Sequence, residues 1–359
     1  MDIFLIAYIN KNFGDDMFVD LICRRYPQHV FHVLGSPLMT DYLSEIPNLR
    51  VHRYNRVTRS VNARIANYFG KNYLMEQLAR RYRYCVCIGG SIFIQAPDWR
   101  KVAKEREKVR KKTLEYYIVS ANFGPYENQE YAEYYNNWFA RLKDVCFRDE
   151  YSYNLFHDMK QVRYAPDAIF GYLNEEPKRI AHPKKTLVIS AIDYTWRRKE
   201  KVTEYEGKLA QIGLKFLSDG WKVVLLALCG QEGDNCAVER VYKAVNRENP
   251  NEDVEQYFYD GNYKEVCNIL RKSDFVISSR FHATVIPLSI GVPVLPVPYS
   301  DKTRAMLNDI GYDGPIWELD QGGISDGELE KAMNYHFEPK CVVQRAGEQF
   351  EAVDQLLNE

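Results

Sequence analysis

The sequence predicts an α/β protein built from two Rossmann-like βα domains, and three observations lead there. Short apolar runs alternate with longer helical stretches from one end of the chain to the other, the pattern of parallel strands joined by crossover helices. Many of the runs end in small or turn-forming residues: NFGDD, GGS, NFGP, SSR. The alternation breaks once, at EEPKRIAHPKK, where charge and two prolines read as a linker. At 359 residues the chain has room for two domains of ordinary size.

The first expected strand, Ile3 to Ile9, runs into the loop NKNFGDD, after which Asp15 and Asp16 sit where free N–H groups are capped at the start of a helix reaching Arg25. Strands follow at His29 to Leu34 and Leu49 to Tyr54, then a helix from about Val61 to Arg80. The strand Tyr84 to Ile88 ends in Gly89-Gly90-Ser91, a turn suited to a phosphate or a sugar. A strongly basic helix, Arg100 to Lys112, precedes the strand Glu115 to Ser120 and the turn Asn122-Phe123-Gly124-Pro125. Next come a helix through Leu142, a strand Val145 to Phe147 ending in Arg148-Asp149-Glu150, and a short strand ending in Ala165-Pro166-Asp167. Asp167 reads as a turn-shaping residue.

The second series starts with Thr186 to Ile192. Its later members are a helix Val202 to Leu217, strand Lys222 to Leu228, a helix from Asn235, strand Val254 to Tyr259 and a helix from Tyr263. Strands spaced by such helices imply parallel sheets with right-handed crossovers. Two such domains facing each other across a cleft are a GT-B-like architecture. The expected boundaries are 1–174 for the first domain, 175–185 for the linker and 186–339 for the second. A C-terminal helix in 340–359 is expected to return to the first domain.

Bulk properties exclude more than they assign. With 48 basic against 49 acidic residues, the total gives no reason to expect nucleic acid. Locally, sixteen Lys/Arg against four acids between Arg53 and Lys112 favour an anionic partner or surface. The stretch WRKVAKEREKVRKK, led by Trp99, offers a handle for peripheral contact with an anionic membrane, against the plainer reading of an exposed helix. No basic leader precedes the first strand and no apolar run nears the ~20 residues that span a bilayer, so a cytoplasmic protein is expected. The eight cysteines lack metal-ligand spacing and read as reduced packing residues. Neither G-x-G-x-x-G nor a P-loop is present.

The richest stretch is Asp274 to Lys302. An apolar strand, Phe275 to Ile277, closes on Ser278 and Ser279. Arg280, Phe281 and His282 then open an apolar helical run ending at Gly291. A second strand, Val292 to Val297, leads to Pro298, Tyr299 and a polar turn with Asp301 and Lys302. A cation and an imidazole where a strand hands over to a helix suit an anion site, because the helix N-terminus adds N–H donors and partial positive charge. A packed core histidine is the alternative for His282.

NFGDD, CIGGSIF, ANFGPY, CFRDEYS, YAPDAIF, ISSRFHATVIPLSIGVPVLPVPY and SDK, in that order from about Asn12 to Lys302, together resemble the polysaccharide pyruvyl transferase family. The most specific part is S-R-F-H before a G-V-P strand, with a lysine twenty positions after the histidine (302 minus 282). The resemblance implies transfer of the enolpyruvyl unit of phosphoenolpyruvate to a sugar diol, forming a pyruvate ketal in capsular, exopolysaccharide or cell-wall glycans. The acceptor would be a sugar, including one carried on undecaprenyl diphosphate. Carried over, His282 is the acid/base and Arg148, Arg280 and Lys302 bind phosphoenolpyruvate. Asp15, Asp16, Gly89 and Gly90 are the acceptor-side residues; no cofactor and no metal are implied. Two departures stand out: Phe281 replaces the commoner Leu, and the strand from Thr186 ends in Ala191-Ile192-Asp193 rather than an arginine, leaving Arg197 or Arg198 to compensate. Rival readings are a GT-B glycosyltransferase using a nucleotide sugar, with Gly230-Gln231-Glu232-Gly233 as its turn, and a non-catalytic glycan- or partner-binding paralogue.

Overall fold

The computed structural model describes residues 1–35, 41–53, 60, 73–174, 179–195, 198–248, 250 and 253–358. By contacts the chain forms two units: Met1–Asn10, Asp15–Ala168 and Arg345–Glu359 make the first, Lys11–Gly14 and Ile169–Gln344 the second.

The first unit is organised on β1 (Asp2–Ile6), β2 (Val30–Gly35), β3 (Leu49–Arg53), β4 (Tyr84–Ile88), β5 (Glu115–Ala121), β6 (Asp144–Phe147) and β7 (Val162–Tyr164). They form one sheet in the order β3-β2-β1-β4-β5-β6-β7, parallel at every pairing. In the second unit β8 (Thr186–Ser190), β9 (Lys222–Ala227), β10 (Val254–Phe258), β11 (Phe275–Ser278) and β12 (Val294–Pro296) form a parallel sheet in the order β10-β9-β8-β11-β12. Both orders start in the middle, grow to one side, then cross to the other. Such sheets bind ligands outside the carboxyl ends of the strands where the direction reverses. The reversals fall between β1 and β4 and between β8 and β11, so the loops after Ile6, Ile88, Ser190 and Ser278 are the ones placed for function.

These strands form because they are buried on both faces. Leu187, Ile189, Val223, Leu225, Phe275 and Ile277 sit in one core with the helix Val202–Ser218. In the first unit Phe93, Tyr131, Tyr135, Trp138 and Phe139 make a dense aromatic core beneath β4 and β5. Cys85 and Cys87 are both buried there as free thiols.

Several elements differ from their expected extents. The helix after β1 spans Phe13–Arg25 and is capped by Asn12, whose Oδ1 accepts the Gly14 N–H at 3.2 Å, so Asp15 and Asp16 lie in its first turn rather than at its cap. The helix expected from Val61 falls largely outside the described residues; its described part is Tyr73–Ala79. Three helices were not expected: Glu150–Phe156, Asp301–Asp309 and Asp326–Asn334. The first is started by Asp149, which accepts the Ser152 N–H at 2.7 Å.

The C-terminal segment is two helices, Lys340–Ala346 and Glu351–Asn358, around a tight turn Gly347–Phe350. The turn drives the fully buried Gln349 amide against the carboxyl edge of the first sheet. It donates to the carbonyls of Phe147, Ala165 and Pro166 and accepts the N–H of Ser120, a residue at φ +59°. Asp354 in the last helix takes hydrogen bonds from Arg25 and from Tyr26.

One edge of the first sheet carries a titratable group. His52 on β3 faces His32 at 3.0 Å and Tyr82 at 3.2 Å, and burial, then the nearby His32 and Arg81 charges, lower its pKa. Burial likewise lowers His29, which faces the chain's amino group and the Leu357 carbonyl. The unfolded chain therefore binds more protons near and below the ordinary imidazole value of ~6.5, so stability falls as pH drops through that value. His52→Gln is expected to flatten the slope of unfolding free energy against pH between about 7 and 5.5; an unchanged slope in urea titrations would refute the assignment.

Candidate active site

In the second unit the candidate residues Arg280 and His282 lie where β11 ends. Ser278 Oγ donates to the Arg280 carbonyl at 2.9 Å and accepts from Thr284 Oγ1 at 3.0 Å, fixing the turn into the helix Phe281–Ser289. Arg280 occupies the N-cap position and His282 the first turn. Below them the Tyr205 hydroxyl meets Ser279 Oγ at 2.7 Å and accepts the Ile192 N–H, joining the ends of β8 and β11.

The Arg280 guanidinium is held by protein carboxylates. Nε donates to Asp234 Oδ2 at 2.8 Å, Nη2 to Asp234 Oδ1, and Nη1 to Glu232 Oε2 at 2.8 Å. Asp234 is fully buried and also accepts the N–H groups of Leu228 and Cys229 at the end of β9. Burial opposes the charge on Arg280, but Asp234 and Glu232 outweigh it and hold its pKa well above the ordinary value. Burial raises the Asp234 carboxyl, against the pull of Arg280. Arg280 thus ties the end of β11 to the turn after β9, with three of its five N–H donors engaged in these bonds. Sequence spacing gave no hint of this partner, which comes from the start of the helix Asp234–Glu248, 46 residues away.

His282 packs on Gly14. A Cβ built on Gly14 would stand 1.7 Å from His282 Nδ1 and 2.4 Å from Cε1, so the imidazole lies directly on the glycine backbone. The glycine is itself anchored: the Phe13 N–H donates to the Leu228 carbonyl at 3.3 Å and the Phe13 ring meets Tyr259 edge-on. On its other flank the His282 ring contacts Phe281 edge-on, centroids 5.0 Å apart. The glycine of NFGDD was legible as a turn residue; that it seats the histidine was not.

Lys302 is the second residue of the helix Asp301–Asp309, which follows β12, the strand next to β11. It is half-buried, with Nζ 5.2 Å from the Tyr299 ring centroid. Of the two arginines expected to compensate at Asp193, Arg197 lies outside the described residues and Arg198 pairs with Asp320 at 3.0 Å. Among the described residues Arg240 donates to Asp193 at 2.9 Å and to Glu206 at 2.7 Å and 2.8 Å.

In the first unit Arg148 follows β6 and is 5% exposed. Its Nη1 donates to Asp167 at 2.7 Å and its Nη2 to Asn122 Oδ1 at 2.8 Å. The expected turn-shaper Asp167 is therefore the arginine's counter-ion. Gly90 covers this guanidinium: a Cβ there would meet Nη1 at 2.2 Å and Cζ at 2.3 Å. Its neighbour Gly89 is needed for another reason, a backbone at φ +144° that side-chain-bearing residues rarely adopt. Gly90→Ala is expected to expel Arg148 and leave Asp167 without its cation, lowering unfolding free energy by about 3–5 kcal/mol. Denaturant unfolding within about 1 kcal/mol of wild type would overturn that reading.

Asp16 is fully buried and accepts from the Tyr42 hydroxyl at 2.6 Å, whereas Asp15 is partly exposed. The basic helix is Trp99–Arg110. Trp99 is packed edge-on against Tyr131, Arg100 pairs with Glu130, and Arg110 with Glu107. Arg106 turns inward to the Tyr135 hydroxyl and the Phe93 ring. Among the described residues no cluster of three or more His, Cys, Asp or Glu is placed to hold a metal ion, and no helix is long and apolar enough to cross a membrane.

A family model described as polysaccharide pyruvyl transferase matches residues 12–301. Among solved structures, the UDP-GlcNAc 2-epimerase of Neisseria meningitidis bound to UDP-GlcNAc is similar over 100% of both chains at 10% identity, with a TM-score of 0.63. The S. aureus MnaA–UDP structure covers 100% of this chain and 96% of its own at 10% identity and TM-score 0.61. Anabaena Alr3699/HepE in complex with UDP and glucose covers 100% and 99% at 10% identity and TM-score 0.54. At such identities the likeness is one of fold: two parallel-sheet α/β domains of the GT-B-like kind.

Proposed function

The chain belongs to the polysaccharide pyruvyl transferase family, and from that premise we propose that it moves the enolpyruvyl unit of phosphoenolpyruvate onto a sugar diol of a capsular, exopolysaccharide or cell-wall glycan. The observation that carries the reading is His282, at the start of a helix on the carboxyl edge of the second sheet and seated on Gly14. Lys302 stands at the start of the next helix.

In this reading His282, protonated, gives its proton to the terminal CH2 carbon of phosphoenolpyruvate, leaving an oxocarbenium-like centre at C2. One acceptor hydroxyl adds its oxygen to C2 and returns its proton to His282. The second hydroxyl then displaces phosphate from the same carbon, its proton departing with inorganic phosphate. The products are the cyclic ketal, its new methyl group and phosphate. An imidazole with an ordinary pKa of ~6.5 suits a group that gives and takes a proton near neutrality. Lys302 and the helix N-termini oppose the charge gathering on the leaving phosphate. Asp15, next in the chain to Gly14, is the carboxylate proposed for an acceptor hydroxyl; Asp16, buried under Tyr42, is not. The chemistry asks for no cofactor beyond the donor.

The acceptor is proposed as a sugar carried on undecaprenyl diphosphate, used in the cytoplasm. Against the nucleotide-sugar reading, Glu232, the acidic residue of its turn, is bound to Arg280. The test is release of phosphate from phosphoenolpyruvate that depends on a lipid-linked glycan. His282→Ala is expected to lower turnover by about a hundred- to ten-thousand-fold while melting like wild type. A folded His282→Ala with near-normal turnover would sink the assignment. Stabilisation by UDP-sugars and not by phosphoenolpyruvate would favour the glycosyltransferase.

A further inference from the structure

We propose that Gln349, in the tight turn near the chain's end, is a positioning residue for Arg148: its amide sets the three loops that carry Asn122, Arg148 and Asp167. Those side chains form one cluster, since the guanidinium donates to Asp167 at 2.7 Å and to Asn122 at 2.8 Å. They reach it from the ends of three strands, β5, β6 and β7. The ladder bonds that fix strand register stop where the strands stop, so the loops beyond need another source of alignment.

Gln349 supplies it at the peptide links that enter the cluster. Nε2 donates to the carbonyl of Phe147, the link into Arg148, at 3.1 Å. It donates to the carbonyl of Pro166, the link into Asp167, at 3.2 Å, and to that of Ala165 at 2.6 Å. Oε1 accepts the N–H of Ser120, two residues before Asn122, at 2.8 Å. A primary amide carries donors and an acceptor on one plane. Turned over, its oxygen would face three carbonyls, so only this orientation fits.

Two irregularities converge on the same contact. Ile118 pairs with Val145 and Ala121 with Phe147, three steps along β5 against two along β6, so β5 carries one extra residue. Ser120 lies in that bulge at φ +59° and is fully buried. Bulges beside functional sites re-aim a side chain, and a strained residue persists where its surroundings over-determine it. Here they do: Gln349 takes the Ser120 N–H, and Ser120 Oγ accepts the Ala168 N–H at 3.0 Å. Beyond the bulge Asn122 meets the guanidinium, its own N–H held by the Gly90 carbonyl at 2.9 Å. The turn that delivers Gln349 is pinned as well, by Arg163, which donates to the Glu348 carbonyl at 2.8 Å while paired with Asp144. What Arg148 binds, phosphoenolpyruvate, rests on the reading above; that Gln349 places Arg148 does not.

The test uses the full-length protein, first without ligand. Phenylglyoxal, which modifies guanidinium groups, is applied well below each variant's melting point, and the modified arginines are located by peptide mass. Gln349→Met keeps the length and removes donors and acceptor. Arg148 modification is expected to quicken at least about tenfold, the scale of one hydrogen bond in a local opening equilibrium. Arg106, held by the Tyr135 hydroxyl and the Ile92 carbonyl elsewhere in the same unit, should keep its wild-type rate. Unchanged Arg148 modification, or Arg106 quickening in step with it, would make Gln349 a general support of the fold and overturn the proposal.

Gln349→Glu is the second variant and decides the matter if the first does not fold. Its protonated carboxyl still accepts from Ser120 and donates to a carbonyl; ionised, it donates nothing. Arg148 and Arg163 are already paired with Asp167 and Asp144, so burial against carbonyls raises the carboxyl's folded pKa above the unfolded ~4.3. The clasp is whole below that raised value and lost as pH rises through it. The ratio of Arg148 to Arg106 modification should therefore climb between about pH 5.5 and 8.5 in this variant and stay level in wild type; a level ratio in the variant would sink the idea. Kinetics then separates placement from ligand. In Gln349→Met the KM for phosphoenolpyruvate should rise about tenfold, with kcat falling less. Faster Arg148 modification at unchanged KM, or a wild-type protein that does not turn phosphoenolpyruvate over, would keep the placement and remove the donor reading. A raised KM without faster modification would remove the placement and leave the donor reading intact.

Discussion

Gly14→Ala is expected to cut pyruvyl transfer by at least about a hundredfold, close to the loss expected for removing His282 itself. One methyl group is enough because of where it would stand. At 1.7 Å from Nδ1 it overlaps the ring, and neither side has slack to yield. The glycine side is fixed by the Phe13 bond to Leu228 and the Tyr259 contact. The histidine side starts a helix whose first residues are tied to Ser278 and Thr284. The ring must therefore turn out of its seat. A misplacement of about 1 Å is worth on the order of a hundredfold where proton transfer needs hydrogen-bond reach. The fall should appear in kcat, since the methyl blocks no cation. Gly207→Ala is the control: nothing lies within 4 Å of its added Cβ, it sits within the helix Val202–Ser218, and alanine there should stabilise by about 0.5–1 kcal/mol with turnover unchanged. Wild-type kcat in a folded Gly14→Ala protein would show that the seat does not matter to the reaction, and with it that His282 is not the proton carrier.

The architecture was readable in the chain because it depends on periodicity, and periodicity is local. Runs such as LVIS and VVLLA are short, β-branched and bounded by turn residues, as two-sided buried strands are, and their spacing left room for a crossover helix each time. His282 was legible for a related reason: a strand, two serines and a helix start put it on the sheet's carboxyl edge. What stayed hidden were the partners. Nothing near Arg280 in sequence indicates Asp234, and nothing near Arg148 indicates Asn122; each pair is set by how neighbouring strands bring separate loops together. For the same reason Gly14 and Gly90 looked like turn residues, when each is a floor on which a distant side chain lies. The helix from Asp301 was missed because its apolar face is short, Met306 and Leu307 being the buried apolar residues among many polar ones.

Arg280→Met should reveal which of two duties that arginine performs. Carried over from the family pattern it is a donor ligand; in the structure its fork is spent on Asp234 and Glu232. If the fork is a strut, removing it strands Asp234, fully buried with only two backbone N–H groups for company. An uncompensated buried carboxylate costs about 3–5 kcal/mol, so the second unit should unfold at much lower urea. Burial already raises the Asp234 pKa with Arg280 present, and without the cation it must rise further. Between the unfolded value of ~3.9 and that raised value the folded variant holds a proton the unfolded chain does not, so its stability increases as pH falls through that window. Adding Asp234→Asn, which removes the charge and keeps the shape, should return most of the loss at neutral pH. A variant as stable as wild type would instead leave the guanidinium to the ligand. Turnover in the rescued Arg280→Met/Asp234→Asn protein then separates the duties: normal kcat makes Arg280 a strut alone, and a raised KM for phosphoenolpyruvate at restored stability assigns it both.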